Sequence, residues 1–257
     1  VRFAESGEKI ENGQVYLARS HGHLLLNADW RIELGRGPRE NNARPAIDPM
    51  FRSVALCCGA RAIGVVLSGM LDDGAAGLLA LKQCGGATVV QEPSDAAFPD
   101  MPMHALHRAR PDHVATLAAM PALLKKLVQQ PAGERLPAPE SLRFEVEIAR
   151  SGRSKMSEMD RIGRRSVLAC PDCHGVMWEI DEGELVRYRC HVGHAYTAES
   201  MRYAIDENLA RALASALRAL DERVAIAEKL RDRAIESQHT SSVALWQSRI
   251  DETRREA

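Results

Sequence analysis

Residues 62–77 read Ala-Ile-Gly-Val-Val-Leu-Ser-Gly-Met-Leu-Asp-Asp-Gly-Ala-Ala-Gly. Ile63, Val65, Val66 and Leu67 form a short apolar run of the kind buried on both faces of a parallel sheet. The run stops at Ser68-Gly69, and an Ala/Leu-rich helical pattern starts after Asp73-Gly74. Gly85-Gly86 closes that helix, and Ala87-Thr88-Val89-Val90-Gln91 reads as the next strand. Strand, crossover helix and strand make a βαβ unit and predict an α/β fold. In open sheets of this class, functional groups gather just past the carboxyl ends of the strands. Asp72 and Asp73 stand at that place. Local pattern alone offers them a plainer task, because a carboxylate beside a first helical turn accepts its free N–H groups.

On the amino-terminal side the pattern is β-rich. Residues 13–18 and 23–26 are short strand patterns joined across Arg19-Ser20-His21-Gly22, and residues 30–34 alternate as a third strand. A loop with Gly-Pro-Arg-Glu-Asn-Asn precedes Arg44-Pro45. A helix is then expected with Asp48 as N-cap, Pro49 in its first position, and Met50, Phe51, Val54 and Ala55 on its apolar face. On the carboxyl side a helix ends near Gln130. Residues 131–166, broken by Pro131, Pro137 and Pro139 and rich in charge, read as a linker.

Several of these segments, in this order, resemble the catalytic domain of CheB-type protein-glutamate methylesterases. They are Glu5-Ser6-Gly7-Glu8, Tyr16-Leu17-Ala18, the run from Arg44-Pro45 through Asp48 to Phe51, the 62–77 stretch, Gln91-Glu92-Pro93, and residues 96–102 (Ala-Ala-Phe-Pro-Asp-Met-Pro). The resemblance covers residues 1–128. It implies a doubly wound, mostly parallel sheet and hydrolysis of methyl-glutamate on chemoreceptors, with glutamine deamidation as a related activity. Catalysis would use a Ser-His-Asp triad and no cofactor. Asp73 falls on the triad aspartate and Met70 on the rim of the same site. The implied partners are methylated chemoreceptor helices and a response-regulator or methyltransferase protein, although the chain carries no receiver sequence. The family's Gly-Ala-Ser-x-Gly-Gly turn and its histidine lie ahead of the point matched by Val1. Residues 1–130 are therefore expected to be an amino-terminally incomplete methylesterase domain, inactive alone. Ser20, His21 and His23 could form a triad with Asp73 on paper. Ser20, however, does not sit on the strand-to-helix elbow that presents such nucleophiles.

The six cysteines fall into two groups. Cys57, Cys58 and Cys84 lie among apolar residues and read as small core side chains. Cys170-Pro-Asp-Cys173 and Cys190-His-Val-Gly-His194 give C-x2-C and C-x3-H pairs separated by sixteen residues. Three thiolates and one imidazole suit a closed, tetrahedral structural Zn²⁺ site. Trp178, Ile180, Leu185 and Tyr188 alternate around a Glu182-Gly183 turn, as a ribbon hairpin requires. Residues 167–197 are accordingly expected to form a zinc-ribbon-like module with ligands Cys170, Cys173, Cys190 and His194. Some CheB-type proteins are similar in this segment as well.

Residues 198–257 keep a helical 3-and-4 spacing through Ile205, Leu209, Leu213, Leu217, Leu220, Val224 and Leu230. The break at residues 237–240 predicts a helical hairpin. With 34 basic and 35 acidic residues, the formal net charge of −1 argues against nucleic acid as a partner. No run of 18 apolar residues occurs, so no membrane insertion is expected. The absence of a leader pattern and the cysteine usage lead to the expectation of a reducing cytoplasm. The competing functional class is a non-catalytic signalling module that uses the ribbon and the helical tail to bind a partner.

Overall fold

The computed structural model describes residues 1–152, 154–182 and 185–256, with Glu182 and Leu185 described by backbone alone. It has two compact units, residues 1–202 and 203–257. The expected Glu182-Gly183 turn and the Leu185 side chain lie outside the described residues.

The first unit opens with β1 (Arg2–Phe3) and β2 (Tyr16–Leu17), a short parallel pair, and then β3 (His23–Leu26) and β4 (Ile32–Gly35), an antiparallel pair. Helix α1 (Ile47–Cys58) leads into β5 (Ile63–Val66), α2 (Ala75–Gln83), β6 (Ala87–Gln91), α3 (Asp100–Ala109), β7 (His113–Ala115) and α4 (Met120–Gln129). Strands β5, β6 and β7 form a parallel sheet in that order, so each crossover helix links neighbouring strands. Val66 and Val90 of the sheet pack with Phe51 of α1, Leu78 of α2 and Ala105 of α3 in a buried cluster. Gly77 sets the spacing of two of these helices. A Cβ there would lie 2.6 Å from the Phe51 Cβ and 2.9 Å from the Asp48 carbonyl oxygen, so only glycine allows α2 this close to α1.

Asp48 does not cap its own helix. It is the second residue of α1, with Ala46 in the N-cap position. Its carboxylate instead accepts the Gly77 N–H in the first turn of α2 at 2.6 Å. Local capping chemistry favours a residue outside the helix, and here a neighbouring helix supplies the free donor.

Residues 131–166 are not a linker. After the stretch 131–139 come α5 (Glu140–Ser151) and α6 (Met156–Ile162). Leu142, Val146 and Ala149 are spaced along one face of α5 and buried, together with Ile148 and Glu145. Arg36 N–H and Gly37 N–H, next to β4, donate to the carbonyls of Arg150 and Ala149 at 3.0 Å. Met159 of α6 is fully buried against Ile148 and Trp178. The composition looked solvated because part of its charge is paired internally.

An antiparallel sheet then follows in the order β11-β10-β9-β8: β8 (Arg164–Ala169), β9 (Val176–Glu182), β10 (Leu185–Cys190) and β11 (Ala195–Thr197). A buried ion cluster joins it to the rest of the unit. Glu145 of α5 takes a bidentate bond from Arg187 (2.7 and 2.7 Å) and a further bond from Arg189 (2.9 Å). Arg189 also donates to Glu40 at 3.0 Å, and Arg52 of α1 pairs with Glu40. Burial alone would raise the Glu145 pKa, but Arg187 and Arg52 hold it well below the usual carboxylate range. Such a cluster is tolerated inside a protein only because every charge has a partner.

Helix α7 (Ala198–Glu236) starts in the first unit and continues into the second, followed by α8 (Thr240–Glu256). Within the second unit the two helices are antiparallel neighbours. Arg254 meets Glu228 at 2.8 Å, and Arg223 meets Glu256 at 3.1 Å. Leu209, Leu213 and Leu217 remain more than half exposed. Among the described residues, no helix is long and apolar enough to cross a membrane.

Candidate functional site

Strand β5 ends at Val66, and the segment that follows turns sharply. Ser68 N–H donates to the Gln91 side chain (2.9 Å), and its hydroxyl accepts the Phe98 N–H (2.9 Å). Gly69 exchanges backbone bonds with Phe98 and Met101, both at 3.0 Å. Leu71 lies in the left-handed region at φ 62°, an uncommon conformation for a bulky residue and one that tends to mark functional turns. Met70, beside it, is 67% exposed. Leu67, Phe98 and Leu117, on the loops after β5, β6 and β7, are exposed as well. The carboxyl end of the sheet therefore carries an apolar rim.

Asp73 closes this turn, largely buried yet with part of its surface open. It does not cap α2, whose N-cap is Gly74. Its Oδ2 accepts the Ile47 N–H at 2.7 Å, and its Oδ1 accepts the Asp48 N–H at 3.1 Å and the Asn41 Nδ2 at 3.3 Å. Asp73 and Asp48 thus cap one another's helices: the carboxylate ahead of α2 serves α1, and the carboxylate in α1 serves α2. Asp72 points elsewhere. It is buried and bonded to Arg108 at 2.6 Å, and Arg108 also pairs with Glu199.

Burial first, and then the charge of Asp48, push the Asp73 carboxyl up from 3.8 to about 7, against the lowering effect of its three hydrogen-bond donors. An acid with a raised folded pKa binds a proton in the folded state that the unfolded chain has released. Its contribution to stability is therefore lost as pH rises through that window. Thermal stability, followed by circular dichroism, should fall between about pH 4 and about pH 7. Asp73→Asn should flatten that slope. An unchanged slope in this variant would assign the pH dependence to other groups. The Glu145 carboxylate acts in the opposite sense, losing its contribution only as pH drops below the ordinary range.

No imidazole stands ready for Asp73 among the local candidates. His23 is fully buried, with Nε2 bonded to the Pro38 carbonyl (2.7 Å) and Nδ1 to the Ala46 N–H (3.2 Å). Burial lowers its pKa, so it is a neutral brace for the loop before α1. Ser20 and His21 lie on the exposed turn before β3. A cleft of about 700 Å³ is lined by Ile63, Ala87 and His113 at the starts of β5, β6 and β7. That is the opposite end of these strands from Asp73.

The second constellation does converge. Cys170, Cys173, Cys190 and His194 place one ligand atom each within 4.8 Å of one another. Cys173 Sγ to Cys190 Sγ is 3.6 Å, and Cys190 Sγ to His194 Nδ1 is 3.5 Å. A tetrahedral ion with Zn–S bonds of about 2.3 Å requires S···S edges of about 3.8 Å, so the donor set fits such an ion. The backbone explains the convergence. Cys170 N–H bonds to the Gly175 carbonyl at 2.8 Å, and Cys190 N–H bonds to the His194 carbonyl at 2.9 Å, which makes two tight knuckles. Asp172 lies 3.6 Å from His194 Nε2 and accepts the Tyr196 hydroxyl at 2.8 Å, an outer carboxylate of the type that orients a ligating imidazole. Cys57, Cys58 and Cys84 take no part. All three are free, and burial raises the Cys58 thiol to about 12, as suits an inert core residue.

The comparisons concern the first half of the chain. Among curated relatives, the protein-glutamate methylesterase/protein-glutamine glutaminase of Thiobacillus denitrificans is 40% identical over 124 residues, which is 47% of this chain and 35% of the relative. The protein-glutamate methylesterase/protein-glutamine glutaminase 1 of Geobacter metallireducens is 40% identical over 127 residues, 48% of this chain and 35% of the relative. The chain spans about a third of the length of these relatives. The crystal structure of the Thermotoga maritima CheB methylesterase catalytic domain is 29% identical, covers 49% of this chain and 67% of that one, and gives a TM-score of 0.46. The CheB methylesterase family model matches residues 1–124, and over those residues the chain is similar to the CheB methylesterase family.

Proposed function

We propose that residues 1–130 are the aspartate-bearing part of a protein-glutamate methylesterase, with Asp73 as the triad carboxylate. The observation that carries this reading is the position of Asp73. It closes a strained turn at the carboxyl end of β5, inside the matched segment, where three donors fix its carboxylate. In such a site the serine attacks the ester carbonyl while the histidine takes its proton and returns it to the leaving methanol. The aspartate orients the imidazole and stabilises its charged form. A histidine that charges beside Asp73 also draws the carboxyl's raised pKa back down, so the pair reaches the required ionic state together. The exposed Met70 would border the methyl ester.

By this reading the three parallel strands are part of a doubly wound sheet, and the serine and histidine come from a segment ahead of Val1. The substrates are methyl-glutamyl side chains on chemoreceptor helices, with glutamine deamidation as the companion reaction. A cytoplasmic setting and a response-regulator or methyltransferase partner accompany it. Methanol release from a methylated receptor fragment tests the proposal. Residues 1–257 alone should give only background release. The same residues preceded by a family segment with its serine and histidine should give clear turnover. No turnover from a folded protein of the second kind would defeat the reading.

Cys170, Cys173, Cys190 and His194 are proposed to hold one structural Zn²⁺ in a zinc-ribbon-like module. The ion would supply folding energy rather than chemistry, since the donor set leaves no open position. Residues 203–256 are proposed as a helical hairpin, and its exposed leucine stripe is the surface a signalling partner would use.

A further inference from the structure

We propose that Asn41 is a positioning residue for Asp73, and that it takes its own orientation from the chain segment leaving the Cys/His cluster. The functional meaning of this rests on Asp73 being the triad carboxylate, whereas the geometry does not.

The Asn41 amide is fully used. Its Nδ2 donates to Asp48 Oδ2 at 2.9 Å and to Asp73 Oδ1 at 3.3 Å. Its Oδ1 accepts from the Thr197 N–H at 3.3 Å and from the Ser200 hydroxyl at 3.2 Å. The backbone N–H of Asn41 donates to the Ala195 carbonyl at 2.8 Å. Chemistry fixes which way the amide points. A backbone N–H can only donate and a carboxylate can only accept, so a flipped amide would set donor against donor and acceptor against acceptor. Asn41 also sits at φ 50°, in the left-handed region that asparagine tolerates better than most residues.

No other side chain serves both ends. Aspartate would turn a third carboxylate toward Asp48 and Asp73, and an aliphatic residue would take one bond from each of four polar partners. Asn41 is buried, so water cannot easily take its place. The path is short: Ala195 follows the cluster residue His194 directly, and Thr197 and Ser200 come next. The place of the Cys/His knuckle is thereby passed through one amide to the Asp73 carboxylate. The other charges facing this region are Asp48 and Arg52 on α1, Glu40 on the preceding loop and Arg187 on β10. Asp72 is turned to Arg108.

The test is a ¹³C-carboxyl NMR titration of the 257-residue chain, with the Asp73 resonance assigned by its loss in Asp73→Asn. Asn41→Leu removes a donor that favours the charged form, so Asp73 should titrate higher by about one pH unit. Ser200→Ala should move it in the same direction by less, although the Ser200 hydroxyl bonds to Asn41 and not to Asp73. A residue that merely filled space at position 41 would leave the titration where it is, and that result overturns the proposal. Movement in Asn41→Leu without movement in Ser200→Ala overturns the link to the cluster segment. If Asn41→Leu does not fold, Ser200→Ala decides alone. Methanol release is a separate readout: a shifted titration here, with no turnover from the folded protein that carries the family's serine and histidine ahead of Val1, rejects the triad role of Asp73 and leaves its positioning by Asn41 standing.

Discussion

Asp73→Ala should lower kcat for methyl-ester hydrolysis by about 10⁴ in a chain that carries the family's serine and histidine ahead of Val1, the scale on which a triad carboxylate acts. The reason lies in the imidazole. Without a carboxylate to hold one ring tautomer and to balance the charge formed in the transition state, the histidine cannot take the serine proton in the right geometry. The binding pocket and any oxyanion donors persist, so KM should change far less than kcat. Alanine also removes the two amide bonds at the start of α1, a capping loss of about 1 kcal/mol. Asp73→Asn is the control, because it keeps the size and one acceptor while losing the charge. A triad role predicts that both variants are slow and folded. A purely capping role predicts that Asp73→Ala is somewhat less stable and that both turn over at the parent rate. Methanol release and circular dichroism on the three proteins decide between these.

The second large effect is on stability. Removing metal with a chelator, or replacing Cys190 by Ser, should unfold the β8–β11 sheet. Structural zinc sites of this donor type contribute on the order of 10 kcal/mol at neutral pH in small domains. Even a part of that, a few kcal/mol, corresponds to a fall of roughly 10 °C in a unit of this size. The damage should not stop at the sheet. Arg189 next to Cys190 holds Glu40, and Thr197 holds Asn41, so hydrogen exchange should also quicken in residues 38–48. Elemental analysis of protein purified without chelator should give one zinc per chain. A metal-free protein, together with Cys190→Ser melting like the parent, would defeat the assignment.

The βαβ unit was legible because its signals are local: an apolar run, a glycine stop and a helical repeat within thirty residues. The convergence of Cys170, Cys173, Cys190 and His194 was legible for the same reason, through their spacing. What sequence reading missed was set by distant partners. Glu145 looked like a solvated linker residue because nothing near it in sequence reveals Arg187, 42 residues away. Asp48 looked like a cap for the helix it belongs to, and only the close α1–α2 approach at Gly77 shows that it serves another. Asp73 was placed correctly at the strand end, but its three donors lie 25 to 32 residues upstream and carry no motif. Asn41 stood in an ordinary loop of Gly, Pro and Asn, the composition of countless turns.

The buried ion cluster has a consequence for whether the two parts of this unit can be exchanged. The family match ends at residue 124, as though a ready-made catalytic cassette had been spliced to a newer tail. Yet Arg52 and Glu40 before that seam share charges with Glu145, Arg187 and Arg189 after it. Cutting there would strand ions in an apolar interior, at a cost of several kcal/mol for each lost partner. A graft of this tail onto a related domain should therefore succeed only when the recipient brings its own matching arginine and glutamate.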